Sequence, residues 1–136
     1  MRAALLLGLA LLATTARAYG PETNYAIHCQ GCHLADGSAT PEKVPALAGS
    51  VARFLHAHEI GAPARRAYLV RVPGVANAPL SDAELAALVD WTLVRFDAAS
   101  IPRDHAPYTA EEVARWRREP LVDVSEERAR LLDAAR

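Results

Sequence analysis

The strongest periodicity in the chain begins at Ser81-Asp82-Ala83-Glu84, which has the form of a capping box. Leu85, Leu88, Val89, Thr92 and Phe96 then recur at helical spacing, with Leu93 beside them. This pattern predicts a helix to about residue 96, with Trp91 packing at the flank of its inner stripe. Weaker stretches precede it. Residues 22–28 predict a short helix, with Tyr25 on the face of Cys29 four positions later. Residues 50–59 predict a second, whose apolar face is Val51, Phe54 and Leu55 and whose stripe His58 continues. Gly61-Ala62-Pro63 interrupts it, and residues 64–71 predict a third that ends before Pro73-Gly74. Residues 34–38 read as a turn, 44–49 as a bend and 72–79 as a short loop. Beyond a proline-bearing linker at 101–107, Thr109-Ala110-Glu111-Glu112 caps a helix running to Arg118 and stopped by Pro120. A last helix over 125–135 is anchored by Leu131 and Leu132. No strand-like alternation of useful length and no internal repeat occurs, so the expected fold is all-α.

The first residues carry a different pattern. Arg2 precedes an uncharged apolar run over 3–13, and Ala16-Arg17-Ala18 places small residues where a signal peptidase reads them. A secretory signal over 1–18, cleaved after Ala18, is expected, with an uncleaved anchor as the alternative. The run is shorter than the about 20 residues of a spanning helix. No other stretch is long and apolar enough to span, so no membrane span is expected after cleavage. The expected organisation is signal peptide 1–18, a helical domain 19–97 and a C-terminal helical extension 98–136. Export places the protein in a bacterial periplasm, an oxidising compartment.

Composition narrows the classes. The 136 residues suit one domain, and 51% hydrophobic with 23% charged residues is a globular balance. Net charge is −1; without Arg2 and Arg17, 13 basic residues face 16 acidic ones, for net −3. That balance lacks the basic excess of a nucleic-acid-binding face. Two cysteines exclude a disulfide-rich scaffold. The single methionine is Met1, so the cleaved chain contains none.

The candidate chemistry lies in Cys29-Gln30-Gly31-Cys32-His33, the C-x-x-C-H signature of covalent haem attachment. Two cysteines three apart on a tight turn can each add to one haem vinyl group, and His33 then lies under the iron as an axial imidazole. The attached haem also supplies core to a small protein. A thioredoxin-like pair would need a βαβ context that the pattern lacks. A zinc site from His28, Cys29, Cys32 and His33 would strain a tetrahedron, and no second Cys/His pair follows. A Cys29–Cys32 disulfide would close a very small loop and stabilise little. Covalent haem is the leading reading.

Residues 21–97 resemble a class I c-type cytochrome. The resemblance rests on the haem motif, Asp36-Gly37, Pro45-Ala46-Leu47-Ala48-Gly49, and Leu80-Ser81-Asp82-Ala83-Glu84-Leu85 leading into the helix of Trp91, in the family's order. It implies a cytochrome c-like helical domain around one covalent haem c, held by Cys29 and Cys32, with His33 as proximal iron ligand. The Pro45 carbonyl would accept a hydrogen bond from the other nitrogen of His33. The family's distal methionine belongs on the loop before the last helix. Here that loop has no methionine, and Val75 stands near the ligand position. The sixth site is then open or water-filled, or taken by His28, His56, His58 or His105, by Asn77, or by Lys43. His28 is tethered on the wrong side and His56 points off the apolar stripe. His58 is the favoured histidine, although it could equally be a surface residue at a helix end. An open or weakly ligated iron is set ahead of it.

The resemblance implies a periplasmic one-electron carrier rather than an enzyme. Its partners would be redox proteins of that compartment, a dehydrogenase donor and an oxidase or cytochrome acceptor. The rival is a small-ligand-binding haem protein or minor peroxidase with an open distal site, and a third reading is a haem subunit of a larger dehydrogenase. In the extension, Arg115, Arg117 and Arg118 are expected on a solvated face near a helix C-terminus, with docking to an acidic partner as the alternative.

Overall fold

The computed structural model describes residues 18–40, 44–56 and 62–133. The signal-peptide stretch, apart from Ala18, lies outside them, as do Lys43 and His58. The described chain is helical throughout its regular structure: α1 (Pro21–His28), α2 (Gln30–His33), α3 (Ala62–Arg71), α4 (Pro73–Ala76), α5 (Asp82–Asp97), α6 (Ala110–Trp116) and α7 (Val124–Asp133). Two 3₁₀ turns, Val51–Leu55 and Ala98–Ser100, complete it. Among the described residues no helix is long and apolar enough to cross a membrane.

α5 is the beam of the fold. Ser81 caps it as its sequence predicts: Ser81 Oγ accepts from the Glu84 amide at 3.3 Å, and Glu84 Oε2 accepts from the Ser81 amide at 2.9 Å. Its stripe of Leu85, Leu88, Val89, Leu93 and Phe96 is buried. α1 starts with Pro21 in its first turn, where a missing amide costs nothing. It packs on α5 through Tyr25, whose ring lies 5.3 Å from Trp91 and 5.1 Å from Phe96. At the far end of α5, the buried Asp97 carboxylate accepts from the Ala52 amide at 2.8 Å. The Phe96 carbonyl accepts from Gly49 at 3.0 Å. These bonds seat the 44–56 segment against the helix.

Two expectations are corrected here. The helix expected over 50–59 is a 3₁₀ turn that ends at Leu55, with His56 already extended. Its apolar stripe is buried as expected, and the Asp97 carboxylate ties the turn to α5 through the Ala52 amide. The segment expected as a loop over 72–79 contains the single turn α4, started by Pro73 with its preset φ.

The tail packs on the same interior. Tyr108 and Val113 are buried in the cluster built on α5, and Leu131 is buried with Phe54 and Tyr68. The Tyr108 amide donates to Asp90 at 3.0 Å, and its hydroxyl donates to the Arg66 carbonyl at 3.0 Å. Thr109 and Glu112 form the expected capping box on α6. The expected solvated arginine face is overturned at Arg117. Its guanidinium turns inward and donates to the carbonyls of Ala76 at 3.0 Å, Ala78 at 2.6 Å and Leu80 at 2.8 Å, and to Asp82 at 3.0 Å. The physical reason is that residues 76–80 run irregularly between α4 and α5, where only the Leu80 amide donates back within the turn, to Ala78 at 2.8 Å, and a planar fork reaches several of their carbonyls at once.

Candidate haem site

The motif folds as a break between two helical turns. α1 ends at His28, Cys29 departs from helical geometry, and α2 carries Cys32 and His33. The amides of Cys32 and His33 both donate to the Cys29 carbonyl, at 3.1 and 3.0 Å. The two thiols therefore sit one turn apart on a fixed backbone, Cys29 half-buried and Cys32 exposed. Burial, aided by the neighbouring Cys32, pushes the Cys29 thiol up to about 11.

The chain leaves the motif through Leu34, at φ 46°, a left-handed backbone uncommon for a bulky side chain. Tyr25 holds this exit: its hydroxyl donates to the carbonyls of His33 at 3.0 Å and Leu34 at 2.7 Å. Gly37 follows at φ 75°, pressed against the Phe96 ring, and its carbonyl accepts from Leu47 at 2.8 Å and Ala48 at 3.1 Å. This brings the Pro45 segment back beside His33.

Beside the motif lies a mainly apolar cavity of about 390 Å³, within the range of small-molecule sites. Tyr25, Cys29 and His33 line it from the motif, and Val44, Pro45 and Leu47 from the returning segment. Phe54, Tyr68, Leu69 and Val72 continue the lining, with Pro73, Gly74 and Val75 from α4 and Val124, Ser125 and Arg128 from α7. Burial depresses the His33 imidazole below its usual range, opposed by the Pro45 carbonyl beside it. His33 Nδ1 is buried and has no hydrogen-bond partner among the described residues, so Pro45 acts on the ring without closing a bond. A neutral imidazole beside an apolar slot, with two thiols one turn apart, is the donor set that haem c requires.

The other candidate ligands are dispersed. His56 is tied to the Ser100 carbonyl at 2.8 Å and does not line the slot. His105 lies between Arg66, 3.2 Å from its Nδ1, and Asp90, 3.7 Å from its Nε2. His28 closes α1 outside the lining, and Asn77 is exposed after α4. Val75 does line the slot, as its register implied. The sequence reading missed Tyr68 and Arg128 as slot residues; the signal was available for Arg128, which shares the α7 face of Val124 and Leu131.

No protein-family model matches the chain. A cytochrome c-552 from one strain of Thermus thermophilus is 32% identical over 135 aligned positions, covering 86% of this chain and 88% of the relative. Another cytochrome c-552 of Thermus thermophilus is 33% identical over 112 positions, covering 69% of this chain and 82% of that protein.

Proposed function

This chain belongs to the c-type cytochromes, and from that premise we propose that it is a periplasmic monohaem electron carrier. Cys29 and Cys32 hold one haem c through thioether bonds to its vinyl groups, and His33 ligates the iron. The haem supplies a metal that exchanges one electron at a time. The residues around it bind it, orient the His33 ring and exclude water from the slot. The observation that carries the reading is the C-x-x-C-H turn opening onto an apolar slot, with His33 and Cys29 both in its lining. Pro45, whose carbonyl lies beside the His33 ring, would serve as its positioning group. The chain is exported by residues 1–18 and works between a dehydrogenase and an oxidase or another cytochrome of the same compartment.

The test is the visible and EPR spectrum of the holoprotein, with its midpoint potential, in wild type and His33→Ala. Loss of the wild-type spectrum and potential in the variant is expected. An unchanged spectrum and potential would overturn the ligand assignment. A second reading is favoured by Val75 and Gly74 in the slot lining, where the family places its methionine. Valine donates nothing to iron, so the distal position takes a small exogenous ligand. Carbon monoxide added to the reduced protein decides: rapid binding to high-spin iron supports this reading. A low-spin iron indifferent to carbon monoxide returns the protein to plain electron transfer with an internal sixth ligand, and His58→Ala then tests that histidine.

A further inference from the structure

Away from the slot, ionisable side chains from three helices and the linker before α6 meet at one place. Arg66 of α3 donates to the Glu112 carboxylate of α6 at 2.9 Å. It also donates to the linker carbonyls of Ala106 at 2.8 Å and Pro107 at 3.3 Å. Its guanidinium carbon stands 4.1 Å from the Tyr108 ring centre, and Tyr108 returns a bond from its hydroxyl to the Arg66 carbonyl. Asp90 of α5 accepts from the Tyr108 amide. The 105–108 segment is thus wrapped around one guanidinium, which fastens the extension to the helical domain.

His105 closes this wrap, and its geometry fixes its protonation state. Its Nδ1 lies 3.2 Å from an Arg66 Nη1. A guanidinium only donates, so Nδ1 presents its lone pair there. The ring is then neutral and carries its proton on Nε2, which faces Asp90 Oδ1 at 3.7 Å. A proton added to Nδ1 would set a cation against the Arg66 cation, on a side chain only 12% exposed. Asp90 does not relieve that conflict, because it faces the nitrogen that is already protonated. Glu112 does not either, because Arg66 engages both its oxygens. Tyr108, 6.1 Å away ring to ring, has its phenol pushed up by burial and stays neutral. The charged neighbours of His105 on its own linker, Arg103 and Asp104, are exposed.

We propose that His105 is a proton-operated latch on the C-terminal extension: neutral, it locks the 105–108 segment onto Arg66, and protonated, it leaves Arg66 and lets the segment open. The inference stands apart from the haem reading. Nδ1 takes one proton from water, and the bond from Arg66 to that nitrogen is lost. The closed form has no place for this proton, so acidification through the imidazole range favours the open form. One hydrogen bond from a charged group sets the scale, an increase of about tenfold in local opening. Asp90 is the rival titrating group. Burial raises its carboxyl, opposed by the bonds from the Tyr108 amide and His105. Its protonation would loosen the Tyr108 amide and leave the contact between Arg66 and His105 in place.

The test is amide hydrogen exchange over residues 105–116 of the full-length protein between about pH 7.5 and 5.5, corrected for the intrinsic effect of pH on exchange. The variants are His105→Asn and Asp90→Asn. Asparagine at 105 offers Arg66 an oxygen acceptor in the place of Nδ1 and does not titrate. Wild type should lose about tenfold in protection at the acid end, and His105→Asn should stay flat. Asp90→Asn should keep the acid response, because the conflict at Nδ1 remains. The latch is overturned if wild-type protection does not change over this range, or if His105→Asn falls as wild type does. A response that survives in His105→Asn and vanishes in Asp90→Asn would also overturn it and assign the titration to Asp90. Nitrogen NMR of the wild-type His105 ring gives a second measurement, which stands if His105→Asn does not fold. A neutral ring protonated at Nε2 is expected at neutral pH, and a ring protonated at Nδ1 would overturn the latch.

Discussion

Arg117→Ala removes the inward fork that joins α6 to the 76–80 turn. The guanidinium makes three bonds to backbone carbonyls at 2.6 to 3.0 Å and one to Asp82 at 3.0 Å. A hydrogen bond to a charged group contributes about 1.5–3 kcal/mol, but the three come from one guanidinium and are not additive. The Asp82 side chain is 40% exposed, so that ion pair adds less than about 1 kcal/mol. Ala76 and Ala78 are buried, which limits how far water replaces the lost donor. The net loss should be about 3 kcal/mol, roughly the value of one to two full charge-assisted bonds. For a chain of this size that corresponds to a fall in Tm of about 10 °C. The assay is thermal unfolding of the holoprotein by circular dichroism, alongside Arg117→Lys and Asp82→Ala. Lysine keeps the charge but not the fork, and should recover less than half of the loss. Asp82→Ala should lower Tm by only about 2 °C. A Tm for Arg117→Ala within about 2 °C of wild type, or equal losses for Asp82→Ala and Arg117→Ala, would refute the reasoning. Because Gly74 and Val75 line the slot just before this turn, the loosened loop should also alter the visible spectrum.

Gly37→Ala places a methyl group within 2.9 Å of Phe96 ring atoms at a backbone φ of 75°; a loss of about 2–4 kcal/mol is expected in chemical denaturation, and wild-type stability would contradict it. Tyr25→Phe keeps the aromatic cluster but frees the carbonyls of His33 and Leu34, for a loss of about 1–2 kcal/mol by the same measurement and broadened haem-motif signals in NMR. Glu112 is partly buried, which raises its pKa, but its bonds to Arg66 and Thr109 outweigh this and hold it below the ordinary range. Its contribution is therefore present above the unfolded value and lost as pH falls through the folded one; Glu112→Gln should flatten the fall of Tm between about pH 5 and 3, and an unchanged acid limb would count against the pair.

The turn proposed to attach haem could be singled out from sequence because the chemistry it would serve is local: covalent attachment requires two cysteines and a histidine at a fixed spacing, as in Cys29, Cys32 and His33. The helix from Asp82 was legible for a similar reason: a capping box and a buried stripe are patterns of near neighbours. The 3₁₀ turn at Val51–Leu55 was not, because what holds it is Asp97, 45 positions away. Pro73–Ala76 was read as loop because one proline-started turn is too short to show a period.

Near-neighbour patterns in the chain were enough to predict the all-helical fold and to single out Cys29, Cys32 and His33 as a candidate haem-attachment motif. Packing settled what surrounds that motif. It turned Arg117 from a solvated face onto the carbonyls of the 76–80 turn, and it put Tyr68 and Arg128 into one slot lining. It also buried Arg65 on α3 without a hydrogen-bond partner among the described residues. The reason is range. Helical period and ligand spacing act over a few residues, whereas the pairing of a buried charge depends on segments up to about 60 positions apart, which only packing brings together.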